Sequence, residues 1–218
     1  MIRLLVRVCA PFLLLCLASW AHAQELPRIS EFYFDEDTLV ARPIVAIEGD
    51  DEATIAKLVK TMERGGRHVD KAIAQLAHIA MASGRTDTGK VLYARAMDAA
   101  SSSVMRNSIA WNHGWDLYRA GDYEGALEQW AQAFANRGAV RPSWVPPTVA
   151  LALWRLGRRE DAVKWYAAAV RTWPDRWNDP ANLPALLPVP GPVPEDAEAM
   201  WGTKAATARE TGLDVGVA

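Results

Sequence analysis

Few side chains in this chain are suited to proton transfer or metal ligation. After residue 23 the histidines are His68, His78 and His113. No two of them share a helix face with a carboxylate at metal-ligand spacing. No Gly-x-Ser-x-Gly elbow occurs, so an activated serine on a strand-to-helix turn is not expected. Gly65-Gly66-Arg67-His68 lacks the preceding strand and the lysine of a phosphate-binding loop, and reads as a turn. Two acidic clusters, Asp35-Glu36-Asp37 and Glu48-Gly49-Asp50-Asp51-Glu52, lack the ligand spacing of a specific calcium loop and read as solvated turns. The two cysteines, Cys9 and Cys16, fall before residue 23. Beyond that point there is no thiol nucleophile, thiolate ligand or disulfide. Glu124, Glu128, Glu160 and Asp161 read as solubilising residues on outer helices. Catalysis, a metal and a cofactor are therefore not expected.

Tryptophan is abundant instead. Of 10 tryptophans, all but Trp20 lie between Trp111 and Trp201. Indole rings combine a large apolar surface with one donor and are enriched at recognition surfaces. Binding, rather than bond-making, is the chemistry this inventory favours.

The elements that must position these rings repeat along the chain. Three glycine turns, Ser83-Gly84-Arg85, Ala120-Gly121-Asp122 and Leu156-Gly157-Arg158, stand 37 and 36 residues apart. Each separates two stretches of helical periodicity, as in a helical hairpin. Small residues recur at fixed offsets from the glycines: Ala77, Gly114 and Ala150; Gly89, Ala126 and Ala162; Ala96, Ala133 and Ala169. Large aromatics recur between them, at Tyr93, Trp130 and Tyr166. Small residues let two helix backbones approach closely, and the ring fills the space beside them. Six repeat helices are predicted at about His68–Ala82, Thr86–Ala99, Val104–Arg119, Tyr123–Asn136, Trp144–Leu156 and Arg159–Thr172. A preceding helix is predicted over Asp51–Arg64, opened by acids and closed by Gly65-Gly66.

This pattern resembles the tetratricopeptide repeat family. The fullest match runs from Asn107 to Val140, with Gly114, Leu117, Gly121, Tyr123, Ala126, Trp130 and Ala133 at signature positions. Ser143 to Arg176 carries Ala150, Leu153, Gly157, Ala162, Tyr166, Ala169 and Pro174. Asp70 to about Ser103 departs further, with Gly89 and Ala80 where alanine and a larger residue are usual. The resemblance implies an all-α solenoid of about three hairpins, with flanking helices and an irregular N-terminal arm. It also implies that the first helix of each hairpin lines a concave face. The family's groove positions then fall on Lys71, Ala74, His78 and Met81 in the first repeat. In the second they fall on Trp111, Trp115, Tyr118 and Arg119, and in the third on Trp144, Leu151, Trp154 and Arg155. Trp130, Trp165, Trp173 and Trp177 are read as packing residues.

The remaining segments set the context. Arg3 and Arg7, an apolar run from Phe12 to Ala18 and the small-x-small Ala21-His22-Ala23 have the layout of a secretory signal, with cleavage expected after Ala23. Lipidation at Cys16 is the rival reading, disfavoured by the bulky Leu14 and Leu15 before it. Without Arg3 and Arg7 the chain holds 22 basic and 26 acidic side chains, a net charge of about −4, which disfavours nucleic acid as a partner. The organisation expected is a signal over 1–23, an arm over 24–50, helical repeats over 51–177, a proline-rich segment over 178–194 and a capping helix with tail over 195–218. Leu183 to Pro192, if extended, could fold back over Trp144 and Trp154 as a lid, or could be a plain linker.

The functional expectation is an exported, most simply periplasmic, scaffold that holds a peptide or protein segment in a tryptophan-rich groove. No stable membrane insertion is expected after signal cleavage. A glycan-binding module using the same rings is the alternative; it requires coplanar, solvent-exposed indoles. A homo-oligomer with one copy's arm or tail in another's groove also remains open.

Overall fold

A computed structural model describes residues 26–182, except Asn136 and Gly138. The expected signal, most of the proline-rich segment with the lid considered for it, and the expected C-terminal helix fall outside the described residues. Within them the chain is all-helical: α1 (Glu52–Arg64), α2 (Val69–Ala82), α3 (Thr86–Ala99), α4 (Ser103–Arg119), α5 (Tyr123–Ala135), α6 (Val145–Arg155), α7 (Arg159–Thr172) and the short α8 (Pro174–Trp177). A 3-10 turn follows at Pro180–Asn182. None of these helices is long and apolar enough to cross a membrane.

Local chemistry sets the helix ends. The Asp51 carboxylate accepts the Thr54 N–H at 2.7 Å, satisfying one of the orphan donors at the start of α1. Ser102 caps α4 in the same way through the Met105 N–H. At the other ends the three turns are copies of one another. Gly84, Gly121 and Gly157 have φ of +75°, +83° and +75°. The residue after each glycine donates to the carbonyl five positions back, at 2.9 Å in all three turns. This left-handed cap satisfies the last helical carbonyls, and glycine adopts it without a Cβ penalty.

Each turn closes a hairpin, so α2 packs on α3, α4 on α5 and α6 on α7. The hairpins stack through α2 against α4, α3 against α4 and α5 against α6, while α1 covers α2. The small-residue pattern marks the close approaches. A Cβ added to Gly114 would lie 2.3 Å from Trp130 Nε1, so the α4 backbone rests directly on that indole. Tyr93, Trp130 and Tyr166 are all fully buried.

The arm, residues 26–50, has no helix but is not loose. It crosses the helices in the reverse of their chain order. The Tyr33 N–H donates to Thr172 Oγ1 at the end of α7, and the Tyr33 carbonyl accepts from Trp173 Nε1. Asp35 forms a parallel bridge with Pro142 just before α6. The Val40 and Arg42 carbonyls accept from Ser108 and Asn112 on α4. Ala46 and Ile47 reach Gln75 on α2.

The acidic triplet corrects the solvated-turn reading. Asp37 is buried; it accepts from Trp144 Nε1 at 2.9 Å and pairs with Arg137. Glu36 pairs with Arg176 at 3.0 Å. Asp37 thus departs from that reading and fastens the arm, while Asp35 and Glu36 stay exposed as they pair with Arg137 and Arg176. Asp35, Asp37 and Glu36 all find arginine partners more than 90 residues away, which no local pattern reveals.

Candidate functional site

The first helices of the first two hairpins do not meet the arm tightly along their whole length. A cavity of about 1000 Å³ lies between α2, α4, the start of α3 and arm residues 43–50. Ala74, Ile79, Met81, Trp111 and Trp115 supply its apolar lining, and Ile44 and Val45 add an apolar wall from the arm. Its polar groups are His78, Asp116 and Arg119 on one side and Glu48 and Asp50 on the arm.

Asp116 organises the helical side. Its carboxylate is almost wholly buried and can only accept hydrogen bonds. It accepts from His78 Nδ1 at 2.9 Å, from the Tyr93 hydroxyl at 2.6 Å and from Arg119 Nη1 at 2.9 Å. Arg119 lies one turn further along α4, so this pair follows from helix geometry. His78 and Tyr93 come from α2 and α3, so the carboxylate joins all three helices. A buried charge with three good donors avoids the cost of an unpaired one.

These bonds set the protonation states. The hydrogen bond to Asp116 raises the His78 pKa against the opposing effect of burial, which favours the imidazolium. With Nδ1 held by the carboxylate, Nε2 is the ring nitrogen left for a ligand, on a side chain that is half exposed. Tyr93 is held well above its ordinary value by burial and then by Asp116, so it remains a donor. His113 stacks on Tyr93 with ring centroids 4.3 Å apart, and burial pushes its pKa down to about 4. The two histidines of this region are therefore driven in opposite directions.

The expected groove residues separate into two groups. The cavity brings together Ala74, His78, Met81, Trp111, Trp115 and Arg119 from the first two repeats. Lys71 lies elsewhere, on a smaller pocket that shares Pro43, Ile44 and Val45 with the main one, so the arm divides the groove between them. Tyr118 is buried beside Trp115, Tyr123 and Trp130, inside the hairpin. In the third repeat Leu151 is fully buried and Trp144 is closed over by Asp37 of the arm. Trp154 lies under the Arg159 guanidinium, 5.1 Å from its ring centre, and Arg155 sits over Tyr123. None of these four lines the cavity: the arm takes Trp144, Arg159 of α7 takes Trp154 and Tyr123 of α5 takes Arg155.

The rings that do line the cavity are a floor. Trp115 is 2% exposed and meets Trp130 edge-on at 5.0 Å and Trp111 at 6.2 Å. The Trp111 and Trp115 planes lie 70° apart, so they do not present the coplanar exposed face that sugar stacking requires. Trp165 packs on Tyr33 and Trp177 on Tyr166, while Trp173 packs against Phe34 of the arm.

Asp116, Tyr93, Gln75 and the arm wall were not among the residues expected from sequence. Asp116 carries one signal: it is the only charge within Gly114-Trp115-Asp116-Leu117-Tyr118, and a charge in an apolar helical run needs a partner. Among the described residues no three His, Cys, Asp or Glu side chains come together as a metal site would require. The chain matches no family model, no curated protein and no solved structure.

Proposed function

We propose that this protein is a non-catalytic binding scaffold of tetratricopeptide-like design, exported to the periplasm, whose cavity holds part of a peptide or protein segment. The observation that carries this reading is the Asp116 cluster beneath a cavity of about 1000 Å³. It holds one imidazole and one guanidinium in fixed positions beside an apolar floor. Preorganised donors of this kind suit a carboxylate or a backbone carbonyl, and the apolar floor suits an aliphatic or aromatic side chain. The acids Glu48 and Asp50 on the arm wall suit the amide or ammonium groups of the same segment.

Selection of a displayed peptide library on the full chain tests this reading, with affinities then measured by fluorescence anisotropy. Enriched peptides should lose at least tenfold in affinity on Arg119→Ala or His78→Gln and be unaffected by Glu128→Ala on the exposed face of α5. Failure to enrich any peptide, or equal loss in all three variants, would count against the cavity.

The His78–Asp116 pair favours one second reading, in which His78 acts as a general base on water in a hydrolytic reaction. Two features oppose it. Asp116 is shared with Arg119 and Tyr93, and the raised His78 pKa favours the imidazolium, which cannot accept a proton from water. Hydrolysis of an activated ester or peptide that vanishes in His78→Gln with unchanged peptide binding would establish it instead.

A further inference from the structure

The arm meets the body of the protein as a bound peptide meets a groove. Its main chain is held at intervals by side chains and by the backbone. Asp35 exchanges hydrogen bonds with the segment before α6, donating to the Arg141 carbonyl at 3.2 Å and accepting from the Ser143 N–H at 2.7 Å. Tyr33 does the same with Thr172 and Trp173. At the far end the Gln75 amide accepts from Ala46 and Ile47 and donates to the carbonyls of Ile47 and Gly49. Main-chain bonds of this kind give affinity without reading sequence.

Sequence is read by three side chains. Tyr33, Asp37 and Val40 are buried, while Phe34, Asp35, Glu36, Thr38 and Leu39 between them are exposed. Each anchor has its own site. Tyr33 packs on Trp165, and its hydroxyl accepts from the Ser30 N–H. Asp37 meets Trp144 and Arg137. Val40 enters the core beside Ser108. An apolar-only seal would have no use for the buried carboxylate, whereas a specificity pocket would.

We infer that the surface over α4, α6 and the end of α7 is a recognition site for an acidic segment carrying tyrosine, then aspartate four residues on, then valine three further on, with a turn between the aspartate and the valine. The arm is its tethered occupant, and a segment of the same chemistry in another protein competes for the same place. The sites of Tyr33, Asp37 and Val40 do not line the cavity, so their variants test this reading apart from the cavity reading, although arm residues 43–50 that follow them form the cavity's outer wall.

The test keeps the whole chain. A protease site inserted between Gly49 and Asp50, in the exposed connection to α1, allows the arm to be cut while every residue is retained. The probe is a fluorescent synthetic peptide spanning residues 28–49, added in excess after the cut. The labelled peptide should replace the severed arm one-for-one, read by anisotropy and co-elution. Peptides with Tyr33→Ala, Asp37→Ala or Val40→Ala should enter at least tenfold more weakly. Unfolding on cleavage, seen as loss of helical circular dichroism, would show that the arm is integral core and overturn the proposal. So would a folded cut chain that takes up no peptide, that takes up variant peptides equally well, or that only pairs with a second copy. In the uncut chain, the amides of Tyr33, Asp35, Ala46 and Ile47 should exchange with deuterium at least tenfold faster than those of central α4. Exchange of both sets at one common rate would also overturn it.

Discussion

The first and third hairpins meet the same arm and end up unlike each other. At the third, the arm brings Tyr33 and Asp37, and Trp144 and Trp165 close over them. At the first, it brings Pro43, Ile44 and Val45, and the Gln75 amide grips its main chain. Buried anchors close one half of the face, while Ile44 and Val45, which are not buried, leave a cavity in the other. The lesson concerns tryptophan: on the first helices of neighbouring hairpins, Trp144 is sealed while Trp111 forms a cavity floor. What decides between these outcomes is the side chain that the arm places opposite.

The largest effect that would break this contrast comes from the sealed half. Tyr33→Ala removes a fully buried ring and should lower stability by about 3–5 kcal/mol, read from urea unfolding. A loss below about 1 kcal/mol would mean that the third hairpin does not depend on its seal.

The second effect lies in the open half and depends on pH. His113 is neutral in the folded protein down to about pH 4, whereas an unfolded histidine takes up its proton near pH 6.5. Between these values the unfolded state binds more protons, so stability falls as the pH falls, by up to about 3 kcal/mol. His113→Phe should flatten that slope in a series of unfolding curves from pH 7 to pH 4.

His78 should act in the opposite sense. Its folded pKa is raised, so its contribution is complete below pH 6.5 and is lost as the pH climbs through the folded value. His78→Gln should remove this decline above pH 6.5 and leave the acid side unchanged. A chemical-shift titration of the ring should give a midpoint above that of a free histidine.

The smallest effect sharpens the comparison at a single bond. Trp144→Phe keeps most of the packing but removes the indole N–H from Asp37, whose carboxylate keeps Arg137. The expected cost is about 1 kcal/mol, with faster amide exchange at Tyr33 and Asp35 and none at Ala46. Spread of the change to Ala46 would show that the two halves of the arm move together.

Much of the scaffold was legible before any coordinates. The glycine turns at 84, 121 and 157 and the small residues around Trp130 are local signals, because a cap or a close helix approach is specified by residues within one hairpin. Predicted and observed bounds coincide for Thr86–Ala99 and Arg159–Thr172 and differ by one residue elsewhere among the described ends. The site was legible only in part. The resemblance implied that His78, Trp111, Trp115 and Arg119 share a face, and the cavity gathers them. It also implied Trp144, Trp154 and Arg155 there, where the arm, α7 and α5 take them instead. Asp116 was passed over because its partners on α2 and α3 lie 38 and 23 residues away.

Sequence alone therefore determined the helices, their pairing and the poverty of reactive side chains, since each rests on spacing within about 40 residues. The tertiary structure decided where the face is closed and where it is open. Tyr33 and Thr172 are 139 residues apart, and neither carries a local mark of the other. Only when three hairpins have stacked does a surface exist for the arm to cross, and how deeply each arm residue seats then fixes which tryptophans remain beside open space.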